Sequence, residues 1–201
     1  MTMANQQTAD GFAIARRAMI DSQLRVSGVN NDKVLSALAR VAREDHVPAS
    51  SRCYAYMDRA VPLENGRQLA APLFYGQMLE EAMISSDDKV LVVDGGSGYL
   101  PALVAPLAAS VEVIDPAQAT SASHKGNDYT LLLVDGAVEH LPDSLTAQLA
   151  DKGRIVTGLV RNGLTRLAVG RMNAGQVSLA TTAEMGIPSL PEFAVEKSWT
   201  F

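Results

Sequence analysis

Apolar positions recur at helical spacing in the first third of the chain and gather into short unbroken runs after it. Phe12, Ala15, Ala18 and Met19 share one face of a helix expected from Asp10, as its cap, to about Val26, where Gly28 ends it. Asn31 is placed to cap a second helix carrying Val34, Leu35, Leu38 and Val41 on its buried side. Residues 43–71 hold Pro48, Pro62 and Gly66 and read as irregular. Pro72 suits the first turn of a third helix that should bury Leu79, Ala82 and Met83. The period then changes. Lys89-Val-Leu-Val-Val-Asp94 runs into a glycine cluster, with a helix expected from about Leu100. A strand, a glycine turn and a helix in succession open a parallel sheet whose ligands bind at the strand ends. Val111–Ile114, Thr130–Val134 and Arg154–Thr157 are further strands, with a helix near Pro142–Leu149 before the last. Thr165–Met172 and Val177–Ala183, about a turn at Asn173-Ala-Gly175, read as an antiparallel hairpin.

Size and composition narrow the class. A chain of 201 residues fits one domain and can bury roughly 70% of its unfolded surface. Hydrophobic residues at 47% and charged residues at 19% give an ordinary globular balance. The net charge of -5, with no basic cluster, argues against a nucleic acid as partner. No apolar run is long enough to span a bilayer. The polar stretch Met1–Asp10 lacks the apolar centre of a signal peptide, so a cytoplasmic protein is expected. Cys53 stands alone and is read as a packed thiol, and the methionines as core filler. His46, His124 and His140 are scattered without metal-ligand spacing and are read as structural. Asp135-Gly136 follows a strand and is either turn chemistry or the wall of a residual pocket.

Several segments, in order, resemble the protein-L-isoaspartate O-methyltransferase family. Ala15-Arg-Arg-Ala-Met-Ile-Asp-Ser-Gln-Leu-Arg25 looks like its opening helix, and Val41-Ala-Arg-Glu-Asp-His-Val-Pro48 is similar to its V-x-R-E-x-F-V-P segment, with His46 at the aromatic. Ala55-Tyr-Met-Asp58 followed by Val61-Pro-Leu63 resembles A-Y-x-D-x-x-L-P-I, and Gly96-Ser-Gly-Tyr99 resembles G-S-G-Y. The resemblance implies an α/β, Rossmann-like S-adenosylmethionine-dependent methyltransferase fold: a helical cap and substrate-loop region over residues 1–86, then a parallel sheet with a terminal hairpin over 87–201. It also implies methyl transfer from S-adenosylmethionine to the α-carboxyl of an isoaspartyl residue. In that reaction a carboxylate attacks a sulfonium methyl in line, so catalysis is mostly positioning and desolvation.

Against the family pattern, four departures bear on that positioning. In the family's T-I-S-x-P loop, aligned on Pro72, Gln68 stands at the Thr and Ala70 at the substrate-orienting Ser, so no catalytic residue carries over there. In the family's acid-x-Gly-x-Gly-x-Gly turn, anchored on Gly96 and Gly98, Val92 replaces the acid and Asp94 the first glycine. A carboxylate at Asp94 lying ~4 Å from the cofactor's own carboxylate would repel it by about 4 kcal/mol at an effective dielectric of 20. A slide of two residues would instead let Asp94 meet the cofactor's ammonium, with Gly96, Ser97 and Gly98 beside it. Asp115 sits where the family holds the ribose hydroxyls, yet only residues 116–129 separate it from the next strand. Since one βαβ unit takes about 30 residues, the third strand unit, and with it the adenine-holding loop, is expected to be missing. The second strand then becomes a sheet edge beside the apolar helix Leu100–Ala109, which Pro106 should kink or shorten. Either a second copy of the chain or a protein partner covers this margin, or residues 116–129 fold back over it. The expected function is that of a family member with lost or strongly weakened S-adenosylmethionine binding, a pseudoenzyme with a binding or structural role. The alternative is an active methyltransferase whose cofactor is held by Asp94, Gly96, Ser97, Gly98 and Asp115.

Overall fold

Five-residue runs of β-branched and aliphatic side chains have no polar face to show water, and such a strand is stable only with both faces covered. Strand β3, Lys89–Val93, is of this kind: its last four residues are buried. The computed structural model describes residues 3–121 and 128–195. In it β3 lies inside a six-stranded sheet of order β4-β3-β5-β6-β7-β8, where β4 is Ser110–Ile114, β5 Tyr129–Val138, β6 Leu149–Arg161, β7 Leu164–Asn173 and β8 Gln176–Glu184. The first four strands run parallel, and β7 and β8 return antiparallel as the expected hairpin.

Two apolar clusters sandwich the sheet. Val90, Val92, Leu131, Leu133 and Val156 face the N-terminal helices, whereas Leu91, Val93, Leu132, Val134 and Ile155 face the opposite way. Over the first face lie α1 (Met3–Met19), α2 (Asp32–Arg40), α3 (Pro72–Ala82) and α4 (Tyr99–Val104). A two-residue antiparallel ladder, β1 (Val61–Pro62) with β2 (Gln68–Leu69), organises the irregular segment expected over 43–71. Asn31 does cap α2, its side chain accepting from the Lys33 amide, and Pro72 does open α3.

Several boundaries differ from the sequence reading, each for a local reason. Helix α1 begins at Met3, so Asp10 is inside it rather than its cap. It continues through one wide turn, Ile20–Leu24, and one tight turn, Arg25–Ser27, to Gly28, whose φ of 91° ends it as expected. Met83 is not buried: it takes the left-handed position after α3 and is 65% exposed. Met57 is likewise exposed, while Met19, Met78 and Met172 do fill core. The helix expected over Leu100–Ala109 stops at Val104, consistent with the limit set by Pro106. The helix near Pro142–Leu149 shrinks to α6, Asp143–Thr146, because β6 starts at Leu149. Cys53 is exposed rather than packed, on the tight turn Ala49–Tyr54 at the rim of the helical cap.

Among the described residues no strand lies beyond β4, so the second parallel strand is the sheet margin. Part of the short link does fold back. Pro116–Thr120 forms α5, capped reciprocally by Asp115 and Gln118, and its Ala119 is buried in the second cluster with Leu190 and Phe193. That covers one face of the margin only. On the other, Val113 is 47% exposed, and Ala105 and Pro106 after α4 are exposed as well. No helix among the described residues is long and apolar enough to cross a membrane.

Leu132 at the centre of the second cluster is fully buried. Leu132→Ala should lower unfolding free energy by about 2–5 kcal/mol, read as a shifted urea midpoint with an unchanged slope.

Candidate active site

A strand that ends in a sharp turn before a helix needs residues able to take positive φ, and the stretch after β3 supplies them. Gly96 has φ 100° and Gly98 φ 68°, the latter just before α4. The Asp94 amide donates to Ile114 O at 2.9 Å, tying the tips of β3 and β4 together. The Asp94 carboxylate then folds back on its own turn: Gly96 N–H and Gly98 N–H both donate to it at 3.1 Å. Ser97 Oγ accepts from the Tyr99 amide at 3.1 Å. Amides that could meet an anionic ligand are therefore already bonded to side chains of the turn itself.

Asp135 reaches the same place from the neighbouring strand. It lies within β5, 6% exposed, and accepts from the Tyr75 hydroxyl at 2.8 Å. The pocket reading of Asp135-Gly136 therefore holds, and the turn reading does not. Asp135 lines a cleft of about 310 Å3 together with Gly95, Arg67, Gln68 and Glu192. A side chain at Gly95 would collide with the Asp135 carbonyl, so only glycine fits between the two carboxylates. Burial, and then the charge of Asp94, push the Asp135 carboxyl up to about 7, against the pull of the Tyr75 and Gly95 hydrogen bonds. Burial also raises Asp94, opposed by the Gly98 and Gly96 amides.

Behind the turn sits a fully buried cation. Arg43 donates through Nε to Ala55 O at 2.6 Å and through Nη2 to Ala70 O. Its guanidinium lies over the rings of Tyr75 and Tyr99, 5.4 and 5.0 Å from their centroids. Such stacking offsets part of the cost of burying the charge. His46, at the family's aromatic position, is edge-on to Tyr99 at 5.3 Å and bonds through Nδ1 to Ser97 O at 2.9 Å. The sequence reading of His46 as structural holds, and the structure adds that it docks the cap onto the glycine turn.

The other expected site residues fall as follows. Ala70 is 1% exposed and offers the site no side-chain donor, its carbonyl being taken by Arg43. Val92 is buried in the first cluster and cannot act as the missing acid. Asp115 is at the end of β4, level with Asp94, but its carboxylate accepts from the Gln118 amide at 2.7 Å as the cap of α5. Asp94, Gly96, Ser97 and Gly98 are thus brought together, with Asp115 beside them and committed elsewhere. Arg67, Glu192 and Tyr75 complete the surroundings and carried no sequence signal, since they come from a loop, the C-terminal segment and a helix interior. Among the described residues no group of three metal-binding side chains forms, and His124 lies outside them.

A protein-family model for protein-L-isoaspartate(D-aspartate) O-methyltransferase (PCMT) matches residues 15–125. The chain belongs to that family. A protein-L-isoaspartate O-methyltransferase of Koribacter versatilis is 34% identical, the alignment covering 87% of this chain and 90% of the relative. That of Roseiflexus castenholzii is 33% identical over 72% and 77% of the two chains. The fold is that of PCMT as well: the crystal structure of a Plasmodium falciparum PCMT in complex with S-adenosyl-L-homocysteine superposes with a TM-score of 0.70 at 14% identity, over 88% of this chain and 98% of that one. The Koribacter alignment runs to 199 positions, yet 87% of 201 residues is about 175, so about 24 positions have no counterpart here. The Roseiflexus alignment gives the same deficit, 169 positions against about 145 residues. A deficit of that size approaches one strand and its helix, in keeping with a PCMT sheet that stops at β4.

An acid whose pKa is higher folded than unfolded, where it is about 3.9, holds its proton more tightly in the folded chain. Its contribution to stability is full below about pH 4 and is lost as pH rises through about 7. Asp135→Asn cannot ionise. Urea unfolding at pH 5 and pH 8 should show the native chain losing roughly 2–4 kcal/mol more than this variant, whereas parallel losses would place the Asp135 pKa near its ordinary value.

Proposed function

We propose that this PCMT-family chain has lost, or nearly lost, S-adenosylmethionine-dependent methyl transfer and serves as a binding or structural homologue. The observation that carries the reading is the Asp94 carboxylate, seated in the glycine turn and bonded to the amides of Gly96 and Gly98. Negative charge there would repel the carboxylate of a bound S-adenosylmethionine, and Asp94 already engages two of the turn's amide donors. The short margin at β4 adds support, because the family's adenine-holding loop follows a third strand. Asp115 spends one carboxylate oxygen on the cap of α5, which leaves it one oxygen rather than two for a ribose. Ala70 in place of the family Ser removes one contact to a substrate carboxyl.

A second reading has an observation of its own. Asp94 and Asp115 end adjacent parallel strands, and the relatives are named as methyltransferases. On that reading the two acids, with Gly96, Ser97 and Gly98, hold the cofactor by its ammonium and hydroxyls, and the protein methylates isoaspartyl carboxyls.

Thermal shift separates the two. Under the leading reading, S-adenosylmethionine or S-adenosylhomocysteine leaves the melting temperature flat up to millimolar concentration. A ligand at a hundred times its dissociation constant would stabilise by ~2.7 kcal/mol and raise the melting temperature by roughly 5–10 °C, and such a rise would favour the active enzyme. Asp94→Gly should recover binding if that carboxylate is the obstacle; no recovery points to the missing strand unit.

The same reading assigns the margin a partner, a second copy of the chain. Val113 on β4, and Ala105 and Pro106 after α4, are exposed apolar residues near what is, among the described residues, the margin of the sheet. Light scattering at micromolar concentration should give twice the 21.3 kDa of one chain, and Val113→Lys should return it to one. A monomer for the native chain would remove the second copy.

A further inference from the structure

The turn that carries the site is not left open on its outer side. The aliphatic part of Arg67 lies against Gly96 so closely that a side chain there would come within 2.7 Å of Arg67 Cδ. From that position the guanidinium extends to Glu192, its Nη2 donating to Oε1 at 2.6 Å. The two arms come from distant parts of the chain. Arg67 is held by the β1–β2 ladder, where its carbonyl accepts from the Leu63 amide at 2.8 Å. Glu192 sits on the tight turn Pro191–Phe193, anchored by the buried Phe193.

This pair lies at the boundary between two clefts. One, of about 310 Å3, is lined by Arg67, Glu192, Gly95 and Asp135. The other, of about 390 Å3, is lined by His46, Glu64, Gly96 and Ser97. Gly95 lines the first and its chain neighbour Gly96, against which Arg67 lies, lines the second. Each is at the small end of the ~300–1,000 Å3 typical of ligand pockets, and joined they would fall well within that range.

We infer that the Arg67–Glu192 pair is a releasable strap across the glycine turn that keeps these two clefts apart. Its construction is that of a contact made to open. The pair is monodentate, since Glu192 Oε2 has no hydrogen-bond partner, and it lacks the second bond that fixes a forked arginine–carboxylate pair. Both side chains keep about a quarter of their surface in water, 24% and 26%, so salt can screen the attraction. Neither arm belongs to the core, so the strap can swing without disturbing the sheet. The inference concerns the same site as the proposed function but does not depend on whether a cofactor binds there.

The test therefore uses no cofactor. Gly96 has two α-hydrogens: the one a side chain would replace faces Arg67, and the other is its internal reference. With a soluble paramagnetic agent, the relaxation enhancement of the facing hydrogen relative to its partner should be low in the full native chain. It should rise at least twofold in Arg67→Ala, and similarly in Glu192→Ala, which removes the acceptor without shortening the arginine. In the native chain 0.5 M sodium chloride should raise the ratio, and in Arg67→Ala it should not. An unchanged ratio in Glu192→Ala would overturn the strap, because Arg67 would then be held by packing alone. Should Arg67→Ala fold poorly, Glu192→Ala and the salt series decide the matter by themselves. A cofactor-induced thermal shift in the native chain would defeat the proposed loss of methyl transfer and leave the strap standing, so the two can fail separately.

Discussion

Everything at the strand ends follows from one half-buried carboxylate that satisfies its own turn. A charge placed as Asp94 is persists only with donors around it. The amides of Gly96 and Gly98 supply them. Those bonds accompany the positive φ angles of Gly96 and Gly98 and occupy two amides just before α4. The neighbouring Asp135 then experiences a second negative charge in a dry place and holds its proton to higher pH.

Support from behind keeps this arrangement rigid. Arg43, over the rings of Tyr75 and Tyr99, is close enough to lower the pKa of Asp135 while burial raises it, and its hydrogen bonds to Ala55 and Ala70 tie two loops of the cap together. Tyr75 connects this layer to Asp135 directly. His46 connects it to the glycine turn through Ser97 O. Residues that the family pattern presents as separate motifs form one contiguous block.

The margin at β4 is the second constraint. With no strand beyond it among the described residues, the chain protects one face with α5 and leaves Val113 exposed on the other. Use of Asp115 as the cap of α5 follows from the same shortening: a link of this length turns back at once, and the residue that ends β4 becomes the start of a helix.

Much of this was legible in the sequence because it depends on neighbours along the chain. The switch from helical to strand period, the caps at Asn31 and Gly28, the glycine turn, the hairpin and the shortened link each rest on local spacing, and the structure keeps them. Boundaries that depended on packing were not legible: α1 starts before Asp10, and β5 runs on through Asp135 because pairing with β6 resumes beyond a bulge at Leu133–Ala137. The site divided in the same way. Asp94, Gly96, Ser97, Gly98 and Asp115 could be named from the turn and the strand end. Whether Asp94 faced a ligand or its own amides, and that Asp135, Arg67 and Glu192 converge on it, was decided only by tertiary structure. Contacts between residues 67 and 192, or 75 and 135, arise from how sheet and cap pack, and no local pattern encodes a distance across that interface.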